Sequence, residues 1–397
     1  MNQTPALRLL SQRLAEKRAQ GLERWLLALE SAGGVRVRLD GREILVMASN
    51  DYLGLTRHPR LAEAALEAVL TTGAGSGASR LVTGNLTLHA ELEREIARFK
   101  HAEAALFFCT GYMANLGVVS GLAGREDYIV SDALNHASLI DACRLSRAQV
   151  RVYPHGDWEE AGRLLAEAPG GALRLLVTDG VFSMDGDLAP LPQLLDAARR
   201  HLALLVVDDA HATGVWGESG RGSVEHHGLT PSPELVMVGT FSKALGGLGG
   251  FVAGANEVVA SLVQGARSFL YTTAPPPGQV AAANAALGLV DEEPWRREKL
   301  RRLSAWFRGE LTGLGFTLLS EAGPIIPLLV GDSHQALAMG QALLRHGVLA
   351  PAMRPPTVPA GTSRLRLTVT AAHETGDLEQ ALEAIARAAK EVDLELG

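Results

Sequence analysis

The strongest constraint on how this chain can fold is the run Ala203-Leu204-Leu205-Val206-Val207, which ends on Asp208-Asp209-Ala210-His211. A short continuous apolar run without alternation reads as a strand buried on both faces, as in a parallel sheet covered by helices. An acid at the end of such a strand needs a partner, and in open α/β sheets ligands sit just outside the carboxyl ends of strands. A second apolar run, Leu235-Val236-Met237-Val238, leads into Thr240-Phe241-Ser242-Lys243-Ala244-Leu245-Gly246-Gly247, where glycines let backbone approach closely.

Two chemistries use an Asp, a His and further polar groups at strand ends. Asp208, Asp209 and His211 have the donor types of a divalent metal site. Adding Lys243 points instead to pyridoxal phosphate (PLP), whose ring nitrogen must stay protonated and whose aldehyde needs an amine. In that reading Asp208 holds the ring proton, Lys243 binds the cofactor covalently, and the hydroxyls of Thr240 and Ser242 suit phosphate oxygens. His211 is within loop reach of the ring's phenolic oxygen.

The 397 residues carry a net charge of −7, and no basic block marks a nucleic-acid partner, so small-molecule partners are expected. Cys109 and Cys143 lack metal-like spacing and imply a reducing compartment. Residues 1–20 alternate arginines with leucines at helical spacing, without an apolar signal core, which reads as an amphipathic arm on a cytoplasmic protein.

Helical and strand patterns alternate. Pro59 to Leu70 begins with proline and keeps an apolar period, and Leu88, Leu92, Ile96 and Phe99 form the stripe of the next helix. Strands are expected at Ala104-Phe108, Tyr128-Val130, Val150-Tyr153, Leu173-Thr178, Ala203-Val207, Leu235-Val238 and Phe251-Ala253, a doubly wound pattern. Ala274-Pro275-Pro276-Pro277 breaks it before a long helical region to about Leu314, and Ile325-Val330 and Leu365-Val369 are strands of a smaller α+β unit. The expected organisation is an arm over 1–50, a large cofactor-binding domain over 51–280 and a small C-terminal domain over 281–397.

Other loops hold candidates. A helix starting near Gly111, in Cys109-Thr110-Gly111-Tyr112, offers free amides and a positive dipole end to phosphate. His136, in Asn135-His136-Ala137-Ser138, caps or packs, or stacks on a planar cofactor. Ser183 follows another buried strand, while Asp185 and Asp187 read as turn residues. Gly73-Ala74-Gly75-Ser76-Gly77-Ala78, with Glu93 beyond, matches a dinucleotide fingerprint, but that motif requires a preceding strand and these glycines follow a helical pattern.

Taken together, Ser49-Asn50-Asp51-Tyr52-Leu53-Gly54-Leu55, Gly73 to Arg80, Thr110-Gly111-Tyr112, Leu134 to Ser138, Asp208 to Gly214 and Thr240 to Lys243 resemble the α-oxoamine synthase family of fold-type I PLP enzymes. Cys109-Thr110 departs from the family's usual serines, and Glu218 to Glu234 is longer than expected. The resemblance implies an α/β fold: a fold-type I PLP-dependent transferase with a large doubly wound, mostly parallel sheet domain and a smaller C-terminal α+β domain.

The segments Arg354 to Gly361 and Arg364 to His373 are most similar to the biotin-synthesis branch, which condenses L-alanine with a pimeloyl thioester on coenzyme A or acyl carrier protein. A sister activity, joining glycine to a short acyl-CoA, is the alternative. Ser79 agrees with alanine, since sister enzymes restricted to glycine usually place Thr there; a one-methylene preference is worth about 1–3 kcal/mol. The resemblance further implies that Lys243 is the general base, that His136 stacks on the cofactor ring and polarises the thioester, and that Ser183 helps His211 hold the phenolic oxygen. It makes Arg366 the clamp on the amino-acid carboxylate, and makes Arg24, Asn50, Arg354 and Thr357 substrate contacts. It implies a homodimer with shared sites, in which Thr272 or Thr273 reaches the partner's phosphate; the alternative for Tyr271-Thr272-Thr273 is a plain strand-end turn. No metal is expected.

Overall fold

The computed structural model describes residues 4–19, 22–23, 26–30 and 33–396. Its strands are β1 (Arg36–Leu39), β2 (Arg42–Val46), β3 (Ala104–Phe108), β4 (Tyr128–Asp132), β5 (Gln149–Tyr153), β6 (Arg174–Asp179), β7 (Ala203–Asp208), β8 (Leu235–Thr240), β9 (Gly250–Gly254), β10 (Ile325–Gly331), β11 (Val348–Leu349), β12 (Ala352–Met353) and β13 (Ser363–Thr368). The seven expected strands form one sheet in the order β3-β9-β8-β7-β6-β4-β5. All pairings are parallel except those of β9, which runs against both β3 and β8.

The absence of alternation in the central strands has a direct cause, whereas the edge strand β5 alternates and is largely exposed. Leu205, Val207 and Met237 pack into one apolar cluster and Val206, Val236 and Val238 into another, so both faces of the sheet are dry. Helices Gly111–Leu122, Ala137–Ser146 and Asn256–Gly265 cover the second face. Thr87–Lys100, Trp158–Ala166, Leu191–Arg200 and Pro277–Glu292 cover the first.

That first cluster continues into the antiparallel sheet β10-β13-β12, through Ile325, Leu328, Leu365 and Leu367, and the helices Ser333–Arg345 and Thr375–Glu391. β1 and β2 form a hairpin whose Asp40-Gly41 turn has positive φ at both residues, 51° and 74°, as a two-residue turn matched to strand twist requires. β2 also pairs in parallel with β11, so these N-terminal strands share a sheet with the C-terminal part of the chain.

The region after the proline break is two helices, Pro277–Glu292 and Trp295–Gly313, because Pro294 cannot continue the first. Gly73 caps the helix Pro59–Thr72, and Glu93 is engaged by Arg80 at 2.9 Å and by the Phe107 amide at 2.9 Å, so the glycine segment lacks the context of a dinucleotide site. The helix Pro5–Ala19 buries none of its residues and exposes Leu7, Leu9, Leu10 and Leu14. Among the described residues no helix is long and apolar enough to cross a membrane.

Candidate active site

Four neighbouring parallel strands end on buried polar residues: Asp132 on β4, Asp179 on β6, Asp208 on β7 and Thr240 on β8. The loops that follow carry His136, Ser183, His211 and Lys243. The parallel register therefore gathers the candidates along one sheet edge, where ligands of such sheets bind.

The two adjacent aspartates diverge because successive strand residues point to opposite faces. Asp208 accepts from the Ala210 amide at 3.0 Å and from Asn115 Nδ2 at 2.6 Å, and Asn115 also donates to Ser138 Oγ at 2.8 Å. Asp209 turns away to a fully buried ion pair with Lys100 at 2.8 Å, so it is not a ligand candidate. Among the described residues no group of three or more His, Cys, Asp or Glu side chains could hold a metal ion.

Asp179 stands beside Asp208 in strand register and accepts from the His136 amide at 3.3 Å. Burial, reinforced by the Asp208 charge, pushes its pKa well above the usual carboxylate range. Lys243 feels the same surroundings: burial lowers its pKa to about 8 against the pull of Asp208 and Asp179, and the Arg366 charge lowers it further. Its amine is thereby partly neutral near physiological pH.

His211 is buried, and burial followed by the charges of Lys243, Arg366 and His136 drives its pKa well below the ordinary value, so the ring is neutral. Its Nδ1 lies 2.7 Å from the Tyr52 hydroxyl. Arg366 donates to that hydroxyl at 3.4 Å, and Asn50 Oδ1 lies 3.2 Å from it; with the Tyr52 proton given to the nearer acceptor, Nδ1, the protonated nitrogen of His211 is Nε2. Arg366 also donates to the Ser183 carbonyl at 2.5 Å and to Asn50 Oδ1 at 3.3 Å. These acceptors are all neutral, so a buried guanidinium charge remains for an anionic ligand.

His136 caps the helix Ala137–Ser146, accepting from the Ser138 amide at 3.3 Å, with Nδ1 2.6 Å from Ser138 Oγ. Burial lowers its pKa despite the Asp208 charge. Thr110 caps the helix Gly111–Leu122 by accepting from the Met113 amide at 3.1 Å, and the first helical amides, Gly111 and Tyr112, have no intrahelical acceptor. Gly111 lies so close to β8 that a Cβ there would sit 3.1 Å from Thr240 Oγ1. Thr240 Oγ1 donates to the Gly249 carbonyl at 2.7 Å and meets Ser242 Oγ at 2.8 Å.

The remaining candidates lie further out. The Tyr112 hydroxyl donates to Asp141 at 2.5 Å on an exposed ring. Ser79 is half-buried, and its carbonyl accepts from the Val82 and Gly84 amides. Thr272 is half-buried and Thr273 exposed, and the Thr273 carbonyl accepts from the Cys109 thiol at 3.3 Å. Arg354 and Thr357 line a cavity of about 570 Å³ against Leu14 and Lys17 of the N-terminal helix. Thr357 also lines a cavity of about 300 Å³ with Asn135 and Ser183. Arg24 lies outside the described residues. Tyr52, Asn115 and Asp179 emerge only from the structure; the first two stand in or beside segments singled out in the sequence, and Asp179 ends a strand as Asp208 does.

The donor set fits PLP: a carboxylate for a ring nitrogen, an amine of lowered pKa, a neutral imidazole, hydroxyls, and a helix start packed closely against them at Gly111. The chain matches the model of the family described as aminotransferase class I and II over residues 42–385, and it belongs to that family. The fold is that of the fold-type I PLP-dependent transferases.

Within it, the chain is 51% identical over 383 residues to the 8-amino-7-oxononanoate synthase of Geobacter sulfurreducens, covering 96% of this chain and 98% of that protein. The structure of serine palmitoyltransferase from S. paucimobilis with a bound PLP-myriocin aldimine superposes with a TM-score of 0.91 at 31% identity, covering 99% of this chain and 100% of the other. That of 8-amino-7-oxononanoate synthase from Francisella tularensis gives 0.76 at 28% identity, covering 88% and 99%.

Proposed function

We propose that the chain is a PLP-dependent acyltransferase that condenses L-alanine with a pimeloyl thioester, on coenzyme A or acyl carrier protein. The products are 8-amino-7-oxononanoate, carbon dioxide and the free thiol. Half the residues are shared with a synthase of that name across nearly the full length, and this observation carries the reading. The protein works as a homodimer, and its setting is cytoplasmic.

When bound, PLP supplies an electron sink for negative charge developing at the amino acid's α-carbon. The Asp208 carboxylate, fixed by Asn115, holds the proton on the ring nitrogen. Arg366 takes the L-alanine carboxylate with a guanidinium that Ser183 and Asn50 orient without neutralising. The Lys243 amine, with its pKa near 8, removes the α-proton and later returns a proton after decarboxylation. His211, held by Tyr52, directs its Nε2 proton at the phenolic oxygen, and His136 faces the acyl group. The amides of Gly111 and Tyr112 and the hydroxyls of Thr240 and Ser242 receive the phosphate. The acyl chain runs past Thr357 toward the cavity against the N-terminal helix.

Titrating the cofactor-loaded protein with L-alanine, glycine and L-serine while following its visible absorption tests this reading. L-Alanine changes the spectrum, and pimeloyl-CoA changes it further. A response confined to glycine and short acyl-CoA assigns the sister activity instead.

A further inference from the structure

His155 lies just past β5, outside the constellation above, and faces a carboxylate on each side. Its Nδ1 is 3.1 Å from Asp132 Oδ1 and its Nε2 is 2.9 Å from Asp187 Oδ2. The ring also packs edge-on against Phe182, with centroids 4.3 Å apart. A ring with an acceptor at both nitrogens donates from both, which makes it an imidazolium. The two acids accordingly push its pKa up to about 10, well clear of the physiological range.

The two carboxylates belong to different loops of the site. Asp132 closes β4 and also accepts from the Leu134 amide at 2.8 Å and the Gly156 amide at 3.0 Å, which fixes the path toward Asn135 and His136. Asp187 closes a turn in which the Phe182 amide donates to the Asp187 carbonyl at 3.0 Å and the Gly186 amide to the Phe182 carbonyl at 2.8 Å. Inside that turn the Ser183 carbonyl holds Arg366, and Asp185 pairs with Arg364. One ring thus ties the loop that carries His136 to the turn on which Arg366 rests.

We propose that His155 is a positioning residue, a cationic bridge between these loops that holds the Ser183 carbonyl against Arg366 and thereby aims the guanidinium at the amino-acid carboxylate. This inference rests on the assignment of Arg366 made above. Asp185 and Asp187, plain turn residues by sequence, become parts of the clamp.

The test uses the cofactor-loaded enzyme and the variants H155F and D187N. H155F keeps a ring against Phe182 and removes both donors, while D187N releases one loop and leaves the histidine in place. Losing charge-assisted hydrogen bonds here raises KM for L-alanine by about tenfold, with kcat within about twofold of the parent enzyme. The double variant is no worse than H155F, since both changes cut the same bridge. Hydrogen exchange at the Phe182 and Gly186 amides speeds up in both variants, while that of β7 does not. KM within twofold of the parent in both variants overturns the proposal, as does a loss confined to kcat and thermal stability. Failure of the parent enzyme to use L-alanine refutes the proposed substrate, and an unchanged amino-acid KM in R366K refutes the assignment of Arg366; the exchange measurement needs no turnover and judges the bridge separately.

Discussion

Replacing Lys100 with Met breaks a fully buried ion pair, and the structure sets the size of the loss. The ammonium donates to Asp209 Oδ2 at 2.8 Å, Thr213 Oγ1 at 2.9 Å and the Arg221 carbonyl at 2.5 Å. Asp209 in turn accepts from the Ser223 amide at 3.0 Å and from Ser223 Oγ at 2.5 Å. K100M strands the Asp209 charge in a dry interior, which costs about 3–5 kcal/mol. Adding D209N removes that charge but keeps an acceptor for Ser223, leaving the Thr213 hydroxyl and the Arg221 carbonyl short of a partner at about 1 kcal/mol each. The double variant is therefore more stable than K100M alone by about 1–3 kcal/mol. Equilibrium urea unfolding of the cofactor-loaded protein, at one protein concentration, measures both. A K100M cost below about 1 kcal/mol, or a double variant costing the sum of the two single changes, refutes the reasoning.

Three further outcomes follow from the site. The rate at which apoenzyme captures PLP rises with pH and levels off near 8, because Lys243 must be neutral to attack; stopped-flow absorbance that keeps climbing toward the value of an ordinary lysine contradicts the lowered pKa. R366K keeps the charge but loses the planar fork, so KM for L-alanine rises by about ten- to a hundredfold in steady-state kinetics. His155 has a raised pKa, so its bridge stabilises fully below pH 6.5 and loses that contribution as pH rises toward about 10. The difference in unfolding midpoint between the parent protein and H155F therefore shrinks across that window, and a constant difference argues against it.

Most of the main sheet was legible because its central strands are apolar runs, a pattern set by burial on both faces; the edge strand β5 alternates and is largely exposed. Asp208 stood out for the same reason, at the point where such a run stops. Asp209 did not separate from it, since neighbouring residues diverge only once the strand exists and Lys100 has been brought to one side. Tyr52 and Asn115 have no local signal of their roles: their partners His211 and Asp208 lie 159 and 93 residues away in sequence. The pairing of β2 with β11 joins segments from opposite ends of the chain and is likewise invisible to periodicity. His155 sits in an ordinary turn, and only the folded loops supply its two acids.

L-Alanine labelled with carbon-13 at the carboxyl carbon distinguishes a decarboxylative condensation from a simple acyl transfer. Incubated with the cofactor-loaded protein and pimeloyl-CoA, it is predicted to release labelled carbon dioxide in step with free thiol, leaving an unlabelled amino ketone detectable by mass spectrometry. Thiol release without labelled carbon dioxide, or a product that retains the label, would contradict the decarboxylative condensation.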